Sequence, residues 1–376
     1  MCGICGYVDF DRGVGDGAAL DPMVESLRHR GPDQSGTWRD DVAALGHARL
    51  SIIDLSEDGR QPMSNERGTV WIVYNGEVYN FVELRSELES KGHRFRTRTD
   101  TEVIVHLYEQ EGIEGVRRLR GMFAFALWDT NRRELYLVRD RIGIKPLYYS
   151  RRGPRLTFGS EIKAILASGG PPPEVCPDAL WDYLTFLYVP APKTMFRGVH
   201  KLEPGHWLRF DERGVEMRQY WDLPEPEATR DGRGAVEREL IDRLNESVSM
   251  RTIADVPLGA FLSGGVDSSA VVAMMARADR RPSITTSIGF EEARYNELPW
   301  ARRVAERYRT DHHEHIVRAD AVDVVETLAW HYDEPFADYS AVPTYYVSKA
   351  AREHVTVSLS GDGGDENFGG YRRYRF

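Results

Sequence analysis

The chain has 376 residues, 41% hydrophobic and 29% charged, which is room for two or three domains with cores of their own and an ordinary composition for a soluble globular protein. A net charge of −10 argues against nucleic acid or an anionic membrane surface as the main partner, while leaving open a phosphate pocket built from backbone N–H groups. Three cysteines make no disulfide framework, no basic-then-apolar leader opens the chain, and no apolar run approaches the roughly 18 residues of a membrane span, so a cytoplasmic protein is expected.

In chain order, the first part is rich in strands. GTVWIVYN (68–75), GMFAFALWD (121–129), ELYLVRD (134–140), PLYYS (146–150) and RLTFGS (155–160) are β-branched or aromatic runs. GMFAFALWD is apolar at every second position in both registers, as a strand covered on both faces must be. Helical spacing appears in VELRSELESKG (82–92), closed by Gly92, and in TEVIVHLYEQEG (101–112), closed by Gly112. Strands flanked by helices predict stacked sheets between helical layers over residues 1–210. Residues 211–234 turn rich in Pro, Gly, Glu and Arg and read as a linker, most plainly in their second half. From 235 to 376 the rhythm is β-α-β-α. Helix 235–250 is followed by strand PLGAFL (257–262), helix 268–278, strand ITTSIGF (284–290), a helix face at Trp300, Val304 and Tyr308, and strands HEHIVR (313–318) and HVTVSLS (354–360). Such alternation predicts a parallel sheet with helices on its faces, and with so little chain after the last strand its helical cover is expected to be incomplete.

Two clusters follow strands of this second domain. In FLSGGVDSSAVV (261–272), Ser263, Gly264 and Gly265 make a turn of little bulk, and Asp267, Ser268 and Ser269 open a helix whose free N–H groups suit a pyrophosphate. In SLSGDGGDENFGGY (358–371), Asp362, Asp365 and Glu366 are hard oxygen donors of the kind that hold Mg²⁺ beside phosphates. A tight turn and a flexible acidic loop are the plain alternatives. Their shared position at the carboxyl ends of parallel strands favours a ligand.

The opening MCGICGYV raises its own question. Cys2 and Cys5 form C-x-x-C, but neither a second such pair nor histidines at ligand spacing accompany them, so zinc or redox chemistry is disfavoured and Cys5 reads as a buried small residue. Cys2 suits a different role. With Met1 removed, its α-amine, of pKa near 8, stands beside its own thiol and can serve as that thiol's base.

MCGICGYV, RHRGPDQSG (28–36), HARLSIIDLS (47–56), YNGEVYN (74–80), RTDTEV (98–103), RGMFAFALWD (120–129) and RDRIGIKPLYY (139–149) resemble the class II glutamine amidotransferases, an αββα Ntn-hydrolase fold of antiparallel sheets. SGGVDSS resembles the signature of the PP-loop ATP-pyrophosphatases. With SGDGGDENFGGY the whole series, in order from Met1 to Phe376, resembles the glutamine-hydrolysing asparagine synthetases, and within them bacterial forms that accompany exosortase and polysaccharide loci. The resemblance implies that Cys2 attacks L-glutamine, that Asn75 and Gly76 hold the oxyanion, and that Arg49 takes the α-carboxylate. It puts Asp100, with Glu77 nearby, on the α-ammonium, and lines the pocket with Leu50, Ser51, Ile52 and Ile53. It puts ATP on Leu262, Ser263, Gly264, Gly265, Asp267, Ser268, Ile288, Ser360 and Gly361, an aspartyl-adenylate near Asp362, where many relatives carry glutamate, and Mg²⁺ on Asp267 and Asp365. L-aspartate is the implied acceptor, and Met122, Phe123 and Ala124 wall an ammonia passage or are ordinary core.

Each assignment has a plain counterpart. Arg49 could be a surface charge, Asn75-Gly76 a hairpin turn, and Asp100 a helix cap. The family extends past Phe376, so the synthetase half is expected to be incomplete and its exposed apolar face to favour pairing, as in a homodimer. Two other functions compete: amidation or cyclisation of another carboxylate, and a regulatory paralogue that keeps only glutaminase or nucleotide binding.

Overall fold

A computed structural model describes residues 1–170, 172–225, 227, 231–278, 282–318 and 321–375. The chain forms two compact units. The first comprises Met1–Glu225 with Ala329–Ala337, and the second Pro226–Leu328 with Asp338–Phe376.

The first unit is built on two antiparallel six-stranded sheets. One runs, edge to edge, His200–Lys201, Tyr148–Arg152, Arg155–Gly159, Gly3–Asp9, Ala43–Arg49, Gln34–Arg39. The other runs Gly214–Gln219, His206–Asp211, Glu134–Arg139, Gly121–Asp129, Val70–Val78, Met63–Ser64. Side-chain alternation assigns their faces. Ile4 and Val8 join Val73, Ala124, Ala126 and Trp128 in a core between the sheets. Cys5 and Tyr7, on the other face of the same strand, pack with Leu20, Met23 and Leu27 from helix Leu20–Ser26 and its end. Phe123, Phe125 and Leu127 pack outward with Tyr74 and with Leu84, Val103 and Leu107 of helices Phe81–Ser90 and Asp100–Glu111. Four layers, αββα, result as expected. GMFAFALWD is apolar throughout because one register faces the partner sheet and the other the helices. Phe123 and Ala124 are accordingly core, both fully buried.

Residues 211–234 depart from the expected linker. Gly214–Gln219 is a strand paired with His206–Asp211, Val215 opposite Phe210 and Met217 opposite Leu208. The apolar alternation of Val215 and Met217 between Glu216 and Arg218 is a short edge-strand pattern that the surrounding charge conceals. Within this stretch, Pro226 and residues 228–230 lie outside the described residues. Ala329–Ala337 also leaves the expected second domain and joins the first unit. Asp333 pairs with Lys163 at 2.9 Å, Glu334 accepts from the Met195 amide at 3.0 Å, and Trp330 stacks edge-on with His29 at 4.5 Å.

The second unit holds the four expected strands, all parallel, in the order Asp311–Val317, Ile284–Phe290, Leu258–Phe261, Val357–Leu359. Strand Leu258–Phe261 has its sequence successor on one side and the last strand on the other, so the winding direction reverses there. Helices Arg233–Met250, Val266–Ala278 and Leu298–Tyr308 contribute Val248, Val272, Met275, Ala301 and Ala305 to a core with Ala260 and Leu262. Among the described residues, no helix is long and apolar enough to cross a membrane.

Candidate active site

Cys2 precedes strand Gly3–Asp9, and its Sγ lies 3.4 Å from the Leu50 amide and 3.6 Å from the Leu50 carbonyl. Its own carbonyl accepts from Arg30 Nε at 2.9 Å, and Arg30 is tied to the buried Glu161 at 2.7 Å. Burial alone would raise the Glu161 carboxyl, yet hydrogen bonds from His29, Lys163 and Arg30 hold it down at about 2. Burial pushes the Cys2 thiol above its ordinary range, against the pull of the N-terminal ammonium, the Leu50 amide, Arg49 and Arg30. With Met1 in place the sulfur is therefore a thiol, and it becomes a nucleophile only with a base beside it. Lys145 is buried near the same sulfur, its Nζ 3.1 Å from Met1 Sδ. Burial lowers its pKa, while Glu77 is the first group to oppose that.

Loop 50–56 is held from behind. Arg49, 4% exposed, donates to Gln34 Oε1 at 2.9 Å, to the Ser56 carbonyl at 3.0 Å and to the Asp54 carbonyl at 2.5 Å. The Ser51 amide donates to Asp33 at 2.8 Å, and the Arg98 amide to Asp54 at 2.8 Å.

Asn75 stands in mid-strand opposite Ala124, with Gly76 opposite Phe123. Its register is that of Val73, toward the other sheet. Asn75 is 0% exposed, and among the described residues neither its Nδ2 nor its Oδ1 has a hydrogen-bond partner. Burying an amide unpaired costs about 1–3 kcal/mol, which a ligand's oxygen would recover. Asp100, also buried, accepts from the Tyr74 hydroxyl at 2.6 Å and the Val78 amide at 2.8 Å. Burial nonetheless raises its pKa.

In the second unit the two glycine-rich clusters meet. Gly264 has φ +81 and closes the turn after Leu258–Phe261; an added Cβ would lie 2.6 Å from the Trp300 and Ala301 backbones. Ser268 Oγ lies 3.0 Å from Ser263 Oγ and accepts from the Ser263 amide at 3.3 Å. Gly361 approaches so closely that a Cβ would come within 2.8 Å of the Ser268 amide and 2.9 Å of the Asp267 Cβ. A bare-backbone cradle thus forms at the ends of neighbouring strands, where the sheet reverses its winding.

A family model described as glutamine amidotransferase domain matches residues 1–221, and one described as asparagine synthase matches residues 239–376. Asparagine synthetase [glutamine-hydrolyzing] 1 of Bacillus subtilis is 40% identical over 357 residues, which cover 94% of this chain and 56% of that one. A Methanocaldococcus jannaschii relative, whose asparagine synthetase name is itself provisional, is 39% identical over 395 residues, covering 99% of this chain and 76% of its own. The chain belongs to the glutamine-hydrolysing asparagine synthetase family. It spans little more than half the length of the Bacillus subtilis relative. A solved glutamine phosphoribosylpyrophosphate amidotransferase of B. subtilis is similar at TM-score 0.46 and 17% identity, over 84% of this chain and 81% of that one.

For a member of this family, the three plain counterparts fail on geometry. Arg49 is buried, Asn75-Gly76 is continuous strand, and the cap of helix Asp100–Glu111 is Thr99, whose side chain accepts from the Glu102 amide. Ser51 is buried and Leu50, Ile52 and Ile53 half-buried around Arg49. In the second unit, Leu262, Ser263, Gly264, Gly265, Asp267, Ser268 and Gly361 are drawn together. Ser360 donates to Asp362 at 2.9 Å. Ile288 lies within its strand, one residue past Ser287, whose hydroxyl donates to the Leu262 carbonyl. Helix Val266–Ala278 begins earlier than expected, so Asp267 and Ser268 occupy its first turn instead of capping it. A Cβ on Gly364 would touch the Asp267 carboxyl, whereas one on Gly370 would touch that of Asp365, so the two carboxylates lean on different glycines. Sequence reasoning passed over Arg30, Tyr74 and Lys145. All three lie inside the recognised motifs RHRGPDQSG, YNGEVYN and RDRIGIKPLYY, and a polar residue inside such a block is the signal that would have found them.

Proposed function

We propose that the chain carries out glutamine-dependent asparagine synthesis. The observation that most supports this reading is Asn75, a fully buried amide whose two polar atoms lack partners among the described residues, on the face that Cys2's own sheet packs against. Once Met1 is excised, the Cys2 α-amine takes the thiol proton as sulfur attacks the carboxamide carbon of L-glutamine. The Asn75 side-chain N–H and the Gly76 backbone N–H stabilise the oxyanion, and the amine returns the proton to the departing ammonia. Water then releases glutamate from the γ-glutamyl thioester. Asp100 and Glu77 receive the substrate ammonium, and Arg49 its carboxylate, in exchange for a loop carbonyl it now holds.

In the second half, the Ser263–Ser268 turn and Gly361 hold ATP. The β-carboxylate of L-aspartate attacks the α-phosphorus, pyrophosphate leaves, and ammonia displaces AMP from the adenylate, with Asp362 nearby. The bare-backbone cradle suits phosphates, and Asp267 with Asp365 would hold Mg²⁺, which supplies charge neutralisation of the pyrophosphate. We place the reaction in the cytoplasm, where Cys2, Cys5 and Cys176, all unbridged, stay reduced.

Intact mass after treatment with a glutamine-like electrophile tests the first half. One adduct on Cys2 of a chain lacking Met1 is expected, and Cys2→Ser should abolish ammonia release from glutamine. Retained Met1, or unchanged ammonia release from Cys2→Ser, sinks the reading. Pyrophosphate release on adding aspartate, ATP and Mg²⁺ tests the second half.

A further inference from the structure

Away from both sites, His93, His106 and Glu109 converge. His93 follows helix Phe81–Ser90, while His106 and Glu109 stand three residues apart on helix Asp100–Glu111. His93 Nδ1 is 3.2 Å from His106 Nδ1, which is 3.0 Å from Glu109 Oε2; His93 Nδ1 to Glu109 Oε2 is 3.9 Å. The edges of a tetrahedron with zinc–ligand bonds of about 2.0–2.1 Å are about 3.3 Å long.

The outward contacts determine which atoms face inward. His93 Nε2 meets Gln110 Oε1 at 3.1 Å, an acceptor that keeps the ring hydrogen on Nε2 and leaves Nδ1 a bare lone pair. His106, 1% exposed in its side chain, has Glu102 Oε1 3.8 Å from its Nε2, too far for a hydrogen bond, and meets both His93 and Glu109 through Nδ1. Glu109 is steadied through its other oxygen by Asn65 Nδ2 at 2.8 Å, and Asn65 is in turn locked by the Thr69 amide at 2.8 Å. The three inward atoms need a positive charge between them, a proton on His106 Nδ1 in the metal-free chain or a metal cation in its place. Outer partners on each ligand are what metal-binding histidines and carboxylates characteristically have. Half-exposed His93 and exposed Glu109 leave a water-accessible side.

We propose that His93, His106 and Glu109 bind a borderline divalent transition-metal ion, Zn²⁺ by ligand type, with water as the fourth ligand. Two imidazoles and one carboxylate suit zinc and disfavour Mg²⁺, which prefers oxygen. The ion fastens segment 92–99 to helix Asp100–Glu111. That segment's Thr97 amide is held by Glu102 at 2.7 Å and its Arg98 amide by Asp54 of the glutamine-pocket loop. The site's role is thus to stiffen the approach to Asp100, and it does not depend on the reaction proposed above.

The test compares the chelator-stripped full chain with His93→Gln and Glu109→Gln, two variants at the accessible side of the cluster. Elemental analysis after dialysis against limiting Zn²⁺ should find one ion fewer per chain in each variant. Titration should show affinity reduced by at least the roughly 10- to 100-fold that losing an outer partner costs. Zn²⁺, and not Mg²⁺, should raise the melting temperature of the parent chain and leave both variants unmoved. Equal zinc content in parent and variants overturns the proposal; a proton on His106 Nδ1 donated to Glu109 then accounts for the contacts. Equal stabilisation by Mg²⁺ overturns the choice of metal.

Discussion

Asn75 and Cys2 are ordinary residues placed in uncomfortable surroundings. A buried amide with no partner among the described residues costs stability, and burial keeps the Cys2 thiol protonated; on the proposed reaction both serve when a substrate carbonyl arrives. This gives Asn75 an unusual mutational signature. Asn75→Ala removes the proposed oxyanion donor, so kcat for glutamine hydrolysis should fall about 10²–10³-fold. No hydrogen bond is lost, so the melting temperature should hold within a few degrees. A variant that unfolds, or that keeps full glutaminase activity, contradicts the role. Asp100 stands differently, because its carboxylate is already held by Tyr74 and Val78. Tyr74→Phe should loosen that carboxylate and raise KM for glutamine more than it lowers kcat, as steady-state kinetics will show.

Among the elements, the strand-turn-helix at Leu258–Ala278 and the loop after Val357–Leu359 behave as one device. Their backbones touch where Gly361 meets the first turn of helix Val266–Ala278. An added methyl at Gly361 has backbone, not a flexible side-chain tip, in its way. Gly361→Ala should therefore spread the cradle and cut ATP binding at least tenfold, measured by equilibrium titration. The glutamine hydrolysis proposed for the other unit should be unchanged. Unaltered ATP affinity would show that the cradle is not the nucleotide site.

For the whole molecule, buried ionisable groups predict stability falling on both sides of neutrality. Glu102, where burial opposes but His106 and the Arg96 and Thr97 amides prevail, and Glu161 both drop from 4.5 to about 2 on folding. A lowered carboxyl pKa contributes stability that is complete above 4.5 and fades as pH falls toward 2. Burial lowers His47 from 6.5 to about 4, adding loss as pH falls from 6.5. His106 runs the other way. Burial lowers it, but Glu102 and Glu109 raise it from 6.5 to about 9, so its contribution is complete below 6.5 and fades as pH rises toward 9. Thermal melts of the metal-free chain across pH should show both slopes, and Glu161→Gln should flatten the acid one. An unchanged acid slope in that variant removes Glu161 from the account.

Local chemistry in the sequence was enough to predict the four layers, the parallel sheet, and helices ending near Gly92 and Gly112, because alternation, helical period and glycine stops are short-range signals. The family and its motif residues were legible for the same reason: they lie in contiguous blocks. Contacts across long sequence separations were not. Glu161 reaching Arg30 and Glu334 reaching the Met195 amide join chain segments more than 100 residues apart, and no local pattern encodes them. Nor could spacing tell whether Asn75-Gly76 turns or continues; pairing with Ala124 and Phe123 decided that. The strand at Gly214–Gln219 was masked by its charges until a partner strand gave it a face. The sequence determined which side chains are available for chemistry, since side-chain type is local. Only the tertiary structure decided which of them are buried, unpaired and adjacent, since desolvation and proximity are properties of the packed chain.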